Sequence, residues 1–304
     1  MRPDPDTALY VFQDARPRLW GLAYRMLGSR ADADDAVQDT FLKWQAADHG
    51  AIEVPKAWLT SVCTRRCVDM LRAAHRTRVD YVGPWLPEPL VMEDDSPNAA
   101  EQIELADSLS MAFLLLLERL SPPERAAYLL REVFEYDYAE VARILEKSPD
   151  ACRQMVSRAR RHLARDGDKG GAKDDAPGHN GQRPDVARRD QLLDGFLGAL
   201  RSGDAGPIEV LLAEDAALWS DGGGKAAAAL NVIHGANNIA RFLAGIWKKS
   251  GRGQTIERTV VNGDPGLVLR EGAAVSTVIS FAVDENDRIA GVFIVRNPDK
   301  LSAV

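Results

Sequence analysis

Apolar residues recur at helical spacing through the first half of the chain and at strand-like spacing near its end. Ala33, Ala36, Val37, Thr40, Phe41 and Trp44 fall at i, i+3, i+4, i+7, i+8 and i+11, with Asp32, Asp34, Asp35 and Asp39 between them. That pattern predicts a helix with one apolar and one acidic face. Another helix is predicted after Pro55, through AWLTSVCTRRCVDMLRAAHRTR, becoming basic toward its end. Residues 79–104 break the periodicity: Pro84, Pro87, Pro89 and Pro97 forbid a continuous helix and favour extended chain. Trp85, Leu86 and Leu90 are too apolar for a purely solvated linker, so the WLPEP segment (85–89) is expected to dock on something.

Helical periodicity resumes over 105–165 and ends in a helix-turn-helix pattern. Its first helix, from about Asp137, is predicted to bury Val141, Ala142 and Leu145. The turn Glu146-Lys147-Ser148-Pro149 stops it. Ser148 suits an N-cap, and Pro149 suits the first helical position, where the N–H it lacks would be unpaired anyway. In the next helix Cys152, Met155, Val156, Ala159 and Leu163 face inward, leaving Asp150, Arg153, Gln154, Ser157, Arg158, Arg160 and Arg161 outside. From Arg153 to Arg165 there are five arginines and no acid. Such a helix suits a major groove, with guanidiniums on phosphates or guanine edges and Gln154 or Ser157 near base edges. A solvated amphipathic helix shares the periodicity; the turn chemistry and one-sided charge favour the DNA reading.

Residues 166–184 (DGDKGGAKDDAPGHNGQRP) have the composition of a flexible linker. In 185–304, two helices (about 186–202 and 205–213) precede the strand-like segments AALWS and AAAALNVIHG. A helix near 236–249 follows, then TIERTVV, GLVLR, AAVSTVISFAV and RIAGVFIVR, separated by Gly, Asn and Asp turns. Helices first and strands afterwards predict an α+β domain with a curved antiparallel sheet.

The length of 304 residues suggests two or three domains, and 45% hydrophobic with 27% charged residues is ordinary for a soluble globular protein. A net charge of −7 sits badly with a DNA binder until its distribution is read. Residues 56–78 carry six basic side chains against Asp69 alone, whereas 79–118 carry no Lys or Arg and nine acids. Local patches, not net charge, set where a polyanion lands. No stretch approaches the roughly 18 apolar residues of a membrane span, and MRPDPDTALY lacks a signal-peptide core, so no membrane association is expected. Cys63, Cys67 and Cys152 cannot form a disulfide framework and fit a reducing cytoplasm. Cys63 and Cys67 share a helix face and, with His75, form a conceivable metal or redox pair; two buried helix cysteines is the favoured reading. Neither a metal nor a cofactor is expected.

With these motifs placed, the chain resembles an extracytoplasmic-function (group IV) sigma factor of bacterial RNA polymerase. ADADDAVQDTFLKW is similar to the polymerase-binding helix of that family, KAWLTSVCTRRCVDMLR to its promoter-opening helix, and the helix-turn-helix to its second domain. WLPEP (85–89), DGGGK (221–225) and NPDKL (297–301) resemble the subgroup with a fused SnoaL-like (NTF2-like) extension. The resemblance implies a multidomain fold of two all-α domains, a sigma2-like bundle (8–78) and a sigma4-like helix-turn-helix (105–165), joined by the acidic linker 79–104. A cone-shaped α+β SnoaL/NTF2-like domain (185–304) would follow the flexible 166–184.

It implies core RNA polymerase and promoter DNA as partners. Asp34, Asp35, Gln38, Asp39, Phe41 and Trp44 would meet the polymerase, the aromatics as desolvated anchors and the acids as complementary charge. Arg65, Arg66, Asp69, Arg72 and Arg76 would act in opening DNA near about −10, and 149–165 would read duplex near about −35. The C-terminal domain would replace a separate anti-sigma protein, through a contact of Trp85, Leu86 and Pro87 with Asp221, Lys225, Asn297, Pro298, Asp299 and Lys300. An unknown small ligand or protein partner at that domain would shift the balance.

Two other classes stay open. A ligand-sensing helix-turn-helix regulator leaves the helices at 31–48 and 56–78 unexplained. A SnoaL-like isomerase or cyclase would use His234 or Asp221 in a cone lined by Trp219, Phe242 and Trp247, but sequence shows no convergence of an acid–base pair. No catalytic residue is assigned.

Overall fold

The computed structural model describes residues 5–77, 81–92, 109–165, 186–250, 253–302 and 304. Most of the acidic linker and all of 166–184 lie outside the described residues. The chain divides into two compact units, one from residues up to 80 with 116–163, the other from 81–115 with 164–304.

The first unit is helical. α1 (Pro5–Leu27), α2 (Arg30–Ala46) and α3 (Pro55–Thr77) pack around Leu19, Leu22, Tyr24, Met26, Ala33, Ala36, Leu59 and Cys63. α1 stops at Gly28, whose positive φ of 67° suits glycine, and Ser29 caps α2 by accepting from the Asp32 N–H. α4 (Met111–Leu117) leads to α5 (Pro122–Tyr128), which widens into one π turn over Leu129–Val133.

α6 (Tyr138–Leu145) is held at its start by a reciprocal cap: Asp137 N–H donates to Glu140, and Glu140 N–H to Asp137 at 2.8 Å. It ends at Glu146 in the left-handed conformation, φ 53°. α7 (Pro149–Arg165) begins with Ala151 N–H on Ser148 Oγ at 3.2 Å, as the Ser-Pro turn predicts. Cys152, Met155, Val156, Ala159 and Leu163 are all buried. In α6 Ile144 takes the buried position expected of Leu145, which is only half-buried.

The second unit is a seven-stranded sheet with helices on one face and the start of α4 on the other. β1 (Val91–Met92), β2 (Leu212–Asp221), β3 (Ile233–His234), β4 (Thr255–Val261), β5 (Asp264–Glu271), β6 (Ala274–Val283) and β7 (Ile289–Val295) run in the order β1-β4-β5-β6-β7-β2-β3. The β2–β7 pair is parallel and the other neighbours antiparallel, which corrects the wholly antiparallel sheet expected. α8 (Val186–Ser202), α9 (Ala205–Leu211) and α10 (Ala236–Ser250) join Ile279, Phe281, Val292 and Ile294 in one apolar core. Within it Phe196 meets Phe281 edge-on at 4.8 Å.

The other sheet face carries Val261, Val268, Val278, Phe293 and Val295 beneath Leu86, Met111 and Leu301. β7 is therefore buried on both faces, which is why its sequence is a continuous apolar run. Of AAAALNVIHG, expected as a strand, only Ile233–His234 pairs; an alanine run has little strand preference.

The connector between the two helical modules supplies one edge strand of the sheet. Residues 81–92 belong to the sheet's unit, β1 pairs with β4, and Asn262 Oδ1 accepts from the Leu90 N–H at 3.0 Å. Met111, Ala112 and Leu115 of α4 pack into the same core.

Candidate nucleic-acid interface

α7 presents Asp150, Arg153, Gln154, Ser157, Arg158, Arg160 and Arg161 to solvent, as its period predicted. They are not equivalent. Arg158 Nε donates to Glu124 at 2.9 Å, and Arg160 Nη2 reaches both carboxylate oxygens of Glu132 at 2.9 Å. Arg153 pairs with Asp150 one turn back and lies 5.6 Å from the Tyr138 ring centroid. Arg161 Nε donates to the Ser157 carbonyl at 3.4 Å, and Gln154 and Ser157 are open to solvent.

Glu124 and Glu132 were not singled out from sequence. The signal for Glu124 was its Ser-x-x-Glu spacing from Ser121, whose Oγ donates to Glu124 at 2.6 Å. Burial pushes the Glu124 carboxyl up, but hydrogen bonds from Ser121 and Arg158 outweigh it and hold the pKa below the ordinary value.

On α3 the proposed promoter-opening residues are likewise engaged. Arg65 pairs with Glu146 and donates to the Ser61 carbonyl, Arg66 pairs with Asp39 at 2.6 Å, and Arg72 reaches Asp69 at 3.4 Å. Arg66 and Asp69 line an open cleft with Leu27, Asp32 and Met70. The side chains of Arg76 and His75 lie outside the described residues. Cys63 and Cys67 are fully buried; a hydrogen bond with Cys63, then burial, raise the Cys67 thiol pKa well above its usual value.

α2 carries Asp34, Asp35 and Gln38 exposed and Asp39 half-buried, with Asp34 accepting from Trp20 Nε1 at 2.9 Å. Phe41 is half-buried against Phe12, ring centroids 4.7 Å apart. Trp44 needs correction. It is 3% exposed, donates to the Ala8 carbonyl at 2.9 Å and packs on Trp58 and His49, so it is core rather than a surface anchor.

In the second unit, the three motifs of the expected regulatory contact meet at Asp221. Oδ1 accepts from Tyr81 Oη at 2.6 Å and Gly223 N at 3.0 Å; Oδ2 accepts from Leu86 N at 2.9 Å and Lys300 Nζ at 2.7 Å. Lys300 also donates to the Leu86 carbonyl and lies 4.2 Å from the Trp85 ring centroid. Asn297 donates to Tyr81 Oη and caps the turn Pro298–Lys300. Pro87 is buried, and Lys225 pairs with Asp299 at the exposed rim at 2.5 Å. Gly222 is required here, since a Cβ would stand 2.2 Å from the Ala226 carbonyl oxygen. Burial and the adjoining Asp221 carboxylate raise the Tyr81 phenol pKa.

The same geometry weakens an acid–base site. Asp221 spends both oxygens on structural donors, and His234 is exposed on a short edge strand. Trp219 packs on the linker-side core, whereas Phe242 and Trp247 pack on the helix-side core, so the three aromatics line no common cone.

Residues 11–77 match the family described as Sigma-70 region 2, and residues 110–163 match Sigma-70, region 4. Over 299 residues, 96% of this chain and 92% of its relative, the sequence is 32% identical to the ECF RNA polymerase sigma factor SigJ of Mycobacterium tuberculosis. This chain belongs to the extracytoplasmic-function RNA polymerase sigma factors, in the form that ends in a SnoaL-like domain. The crystal structure of M. tuberculosis SigJ matches it with a TM-score of 0.75 and 28% identity, covering 97% of this chain and 98% of that one. A probable ECF sigma factor of the same species, SigI, is 33% identical over 53% of this chain and 54% of its own length.

Proposed function

We propose that the chain binds core RNA polymerase and directs it to promoters, with α2 meeting the polymerase, α3 acting in DNA opening and α7 reading duplex. The observation that carries this reading is the ordered pair of sigma-70 regions, the second ending in a solvent-facing arginine helix. Asp34, Asp35, Gln38, Asp39 and Phe41 form the polymerase face. Arg65, Arg66, Asp69, Arg72 and Arg76 form the opening face. Gln154 and Ser157 are the base-edge candidates, with Arg153 and Arg161 beside them for bases or phosphates.

The C-terminal domain is the regulator in this reading. Support comes from its hold on the segment between the two sigma regions: Tyr81, Leu86, Leu90 and β1 are tied to Asp221, Lys300, Asn262 and β4. A connector fastened there limits how far regions 2 and 4 separate, so loosening the clasp changes sigma activity.

Co-elution of the full chain with core polymerase, followed by promoter binding with Gln154→Ala and Arg161→Ala, tests the assignment. Gln154→Ala should relax discrimination at one base pair by about 1–3 kcal/mol, and Arg161→Ala should weaken all duplexes alike. Sequence-specific duplex binding without any affinity for polymerase would favour a ligand-sensing regulator instead.

A further inference from the structure

The arginines of α7 stand on two flanks of the helix, and each flank is fastened from within region 4 itself. Two residues apart on an α-helix, Arg158 and Arg160 point about 160° from one another. Between them lies the solvent-facing ridge of Gln154, Ser157 and Arg161. α5 and its π turn supply one acid to each flank. Glu124 Oε1 accepts from Arg158 Nε at 2.9 Å, and both oxygens of Glu132 accept from Arg160 Nη2 at 2.9 Å. Exposure divides the two pairs in the same way. The arginine side chains are 45% and 60% exposed, whereas Glu124 and Glu132 are 12% and 24% exposed. The acid is the fixed member of each pair and the guanidinium the reaching one.

An ordinary surface ion pair contributes little, because two long side chains must be ordered to make it. Here the fold has already ordered the carboxylates. Glu124 belongs to the capping box of α5: its Oε2 accepts from Ser121 Oγ at 2.6 Å and from Ser121 N at 3.4 Å, leaving Oε1 for Arg158. The same hydrogen bonds lower its pKa and keep it ionised at neutral pH. Glu132 stands in the π turn, which Phe134 N–H closes on the Leu129 carbonyl at 3.0 Å. Single π turns of this kind are frequent at functional sites.

We propose that Glu124 and Glu132 are positioning residues for promoter duplex, bracing Arg158 and Arg160 toward the phosphates of opposite strands. This deepens the sigma-factor reading and rests on it. The major groove is about 12 Å wide, so a helix lying in it has a phosphate backbone along each flank. Arg158, braced through Nε, offers its Nη1–Nη2 edge to a phosphate; Arg160, braced through Nη2, offers Nε and Nη1. Phosphate contacts set register and orientation, so a clamp on each flank holds Gln154 and Ser157 over their base edges. The sign of the effect separates bracing from mere neutralisation. An acid that only cancels charge weakens DNA binding, and its removal tightens it. An acid that orders an arginine in advance strengthens binding, and its removal loosens it.

The test uses the full chain, with Gln in place of Glu because it keeps the side chain's volume and hydrogen-bonding capacity. In the free protein the Arg158 Nε–H should give a resolved proton–nitrogen resonance protected from solvent exchange, and Glu124→Gln should abolish that protection. A solvent-averaged Arg158 Nε–H in the parent overturns the brace. Holoenzyme with core RNA polymerase is then titrated, over a range of salt, against a promoter it selects. Arg158→Ala and Arg160→Ala should each reduce the steepness of the salt dependence by about 0.9, one phosphate contact apiece. Glu124→Gln and Glu132→Gln should weaken promoter binding about three- to tenfold, the ordering cost of one long side chain, with the salt slope kept. Glu124→Gln should add nothing in the Arg158→Ala background, nor Glu132→Gln in Arg160→Ala, a dependence that a merely structural role would not show. Unchanged or tighter binding by the Glu→Gln variants, or an undiminished effect without the partner arginine, overturns the proposal. Co-elution of the parent with core polymerase reports the sigma-factor reading separately, since the Arg158 resonance is read without polymerase.

Discussion

Replacing Asp221 by Ala should release the linker from the C-terminal domain. The carboxylate is fully buried and its pairing partner Lys300 is only 11% exposed, so the substitution removes the carboxylate that a nearly buried cation faces. Breaking a buried pair from one side costs about 3–5 kcal/mol. Lys300→Met removes its hydrogen bonds to Asp221 and to the Leu86 carbonyl, about 1.5–3 kcal/mol each, while Tyr81, Leu86 and Gly223 still donate to Asp221. The double variant should therefore cost less than the sum, with a coupling of about 0.5–3 kcal/mol. Hydrogen exchange at the Leu86 amide is the local readout, since that N–H donates to Asp221 at 2.9 Å. Its protection should fall by roughly two to three orders of magnitude in Asp221→Ala. Intact Leu86 protection in Asp221→Ala, or strictly additive single costs, would refute the clasp.

Trp44→Ala should destabilise the helical unit by about 3–5 kcal/mol in urea unfolding, because it removes a buried indole and its hydrogen bond to the Ala8 carbonyl. A stable variant with weakened polymerase binding would restore Trp44 as an anchor. Glu124, whose carboxyl pKa is depressed, contributes stability that is present above the ordinary carboxylate value and lost as pH falls through its lowered one. Acid unfolding of Glu124→Gln followed beside the parent should show a smaller loss over that window; identical pH profiles would remove Glu124 from the account.

What sequence made legible was local. Ser148-Pro149, the spacing of Cys152, Met155, Val156, Ala159 and Leu163, and the run of arginines marked out α7 from neighbours within a few turns. What it hid was tertiary. Trp44 lies on the same stripe as Ala33, Ala36 and Val37, and the stripe alone does not distinguish a buried aromatic from a protruding one. Arg158 and Arg160 looked free because Glu124 and Glu132, which neutralise them, lie 34 and 28 residues away. The proline-rich segment promised docking through Trp85 and Leu86, yet β1 and its pairing with β4 depend on a strand more than 160 residues later. Asp221 and Lys300 were visible as members of separate motifs and Tyr81 was in none; only folding brings the Tyr81 and Lys300 donors onto one carboxylate.

The most direct test is run-off transcription with core RNA polymerase from a promoter selected by the full chain, comparing parent with Arg153→Ala/Gln154→Ala. The account predicts initiation at one start site that depends on the chain, and loss of that start site in the variant while co-elution with polymerase persists. Initiation unaffected by the chain, or equal transcription by both proteins, would contradict it.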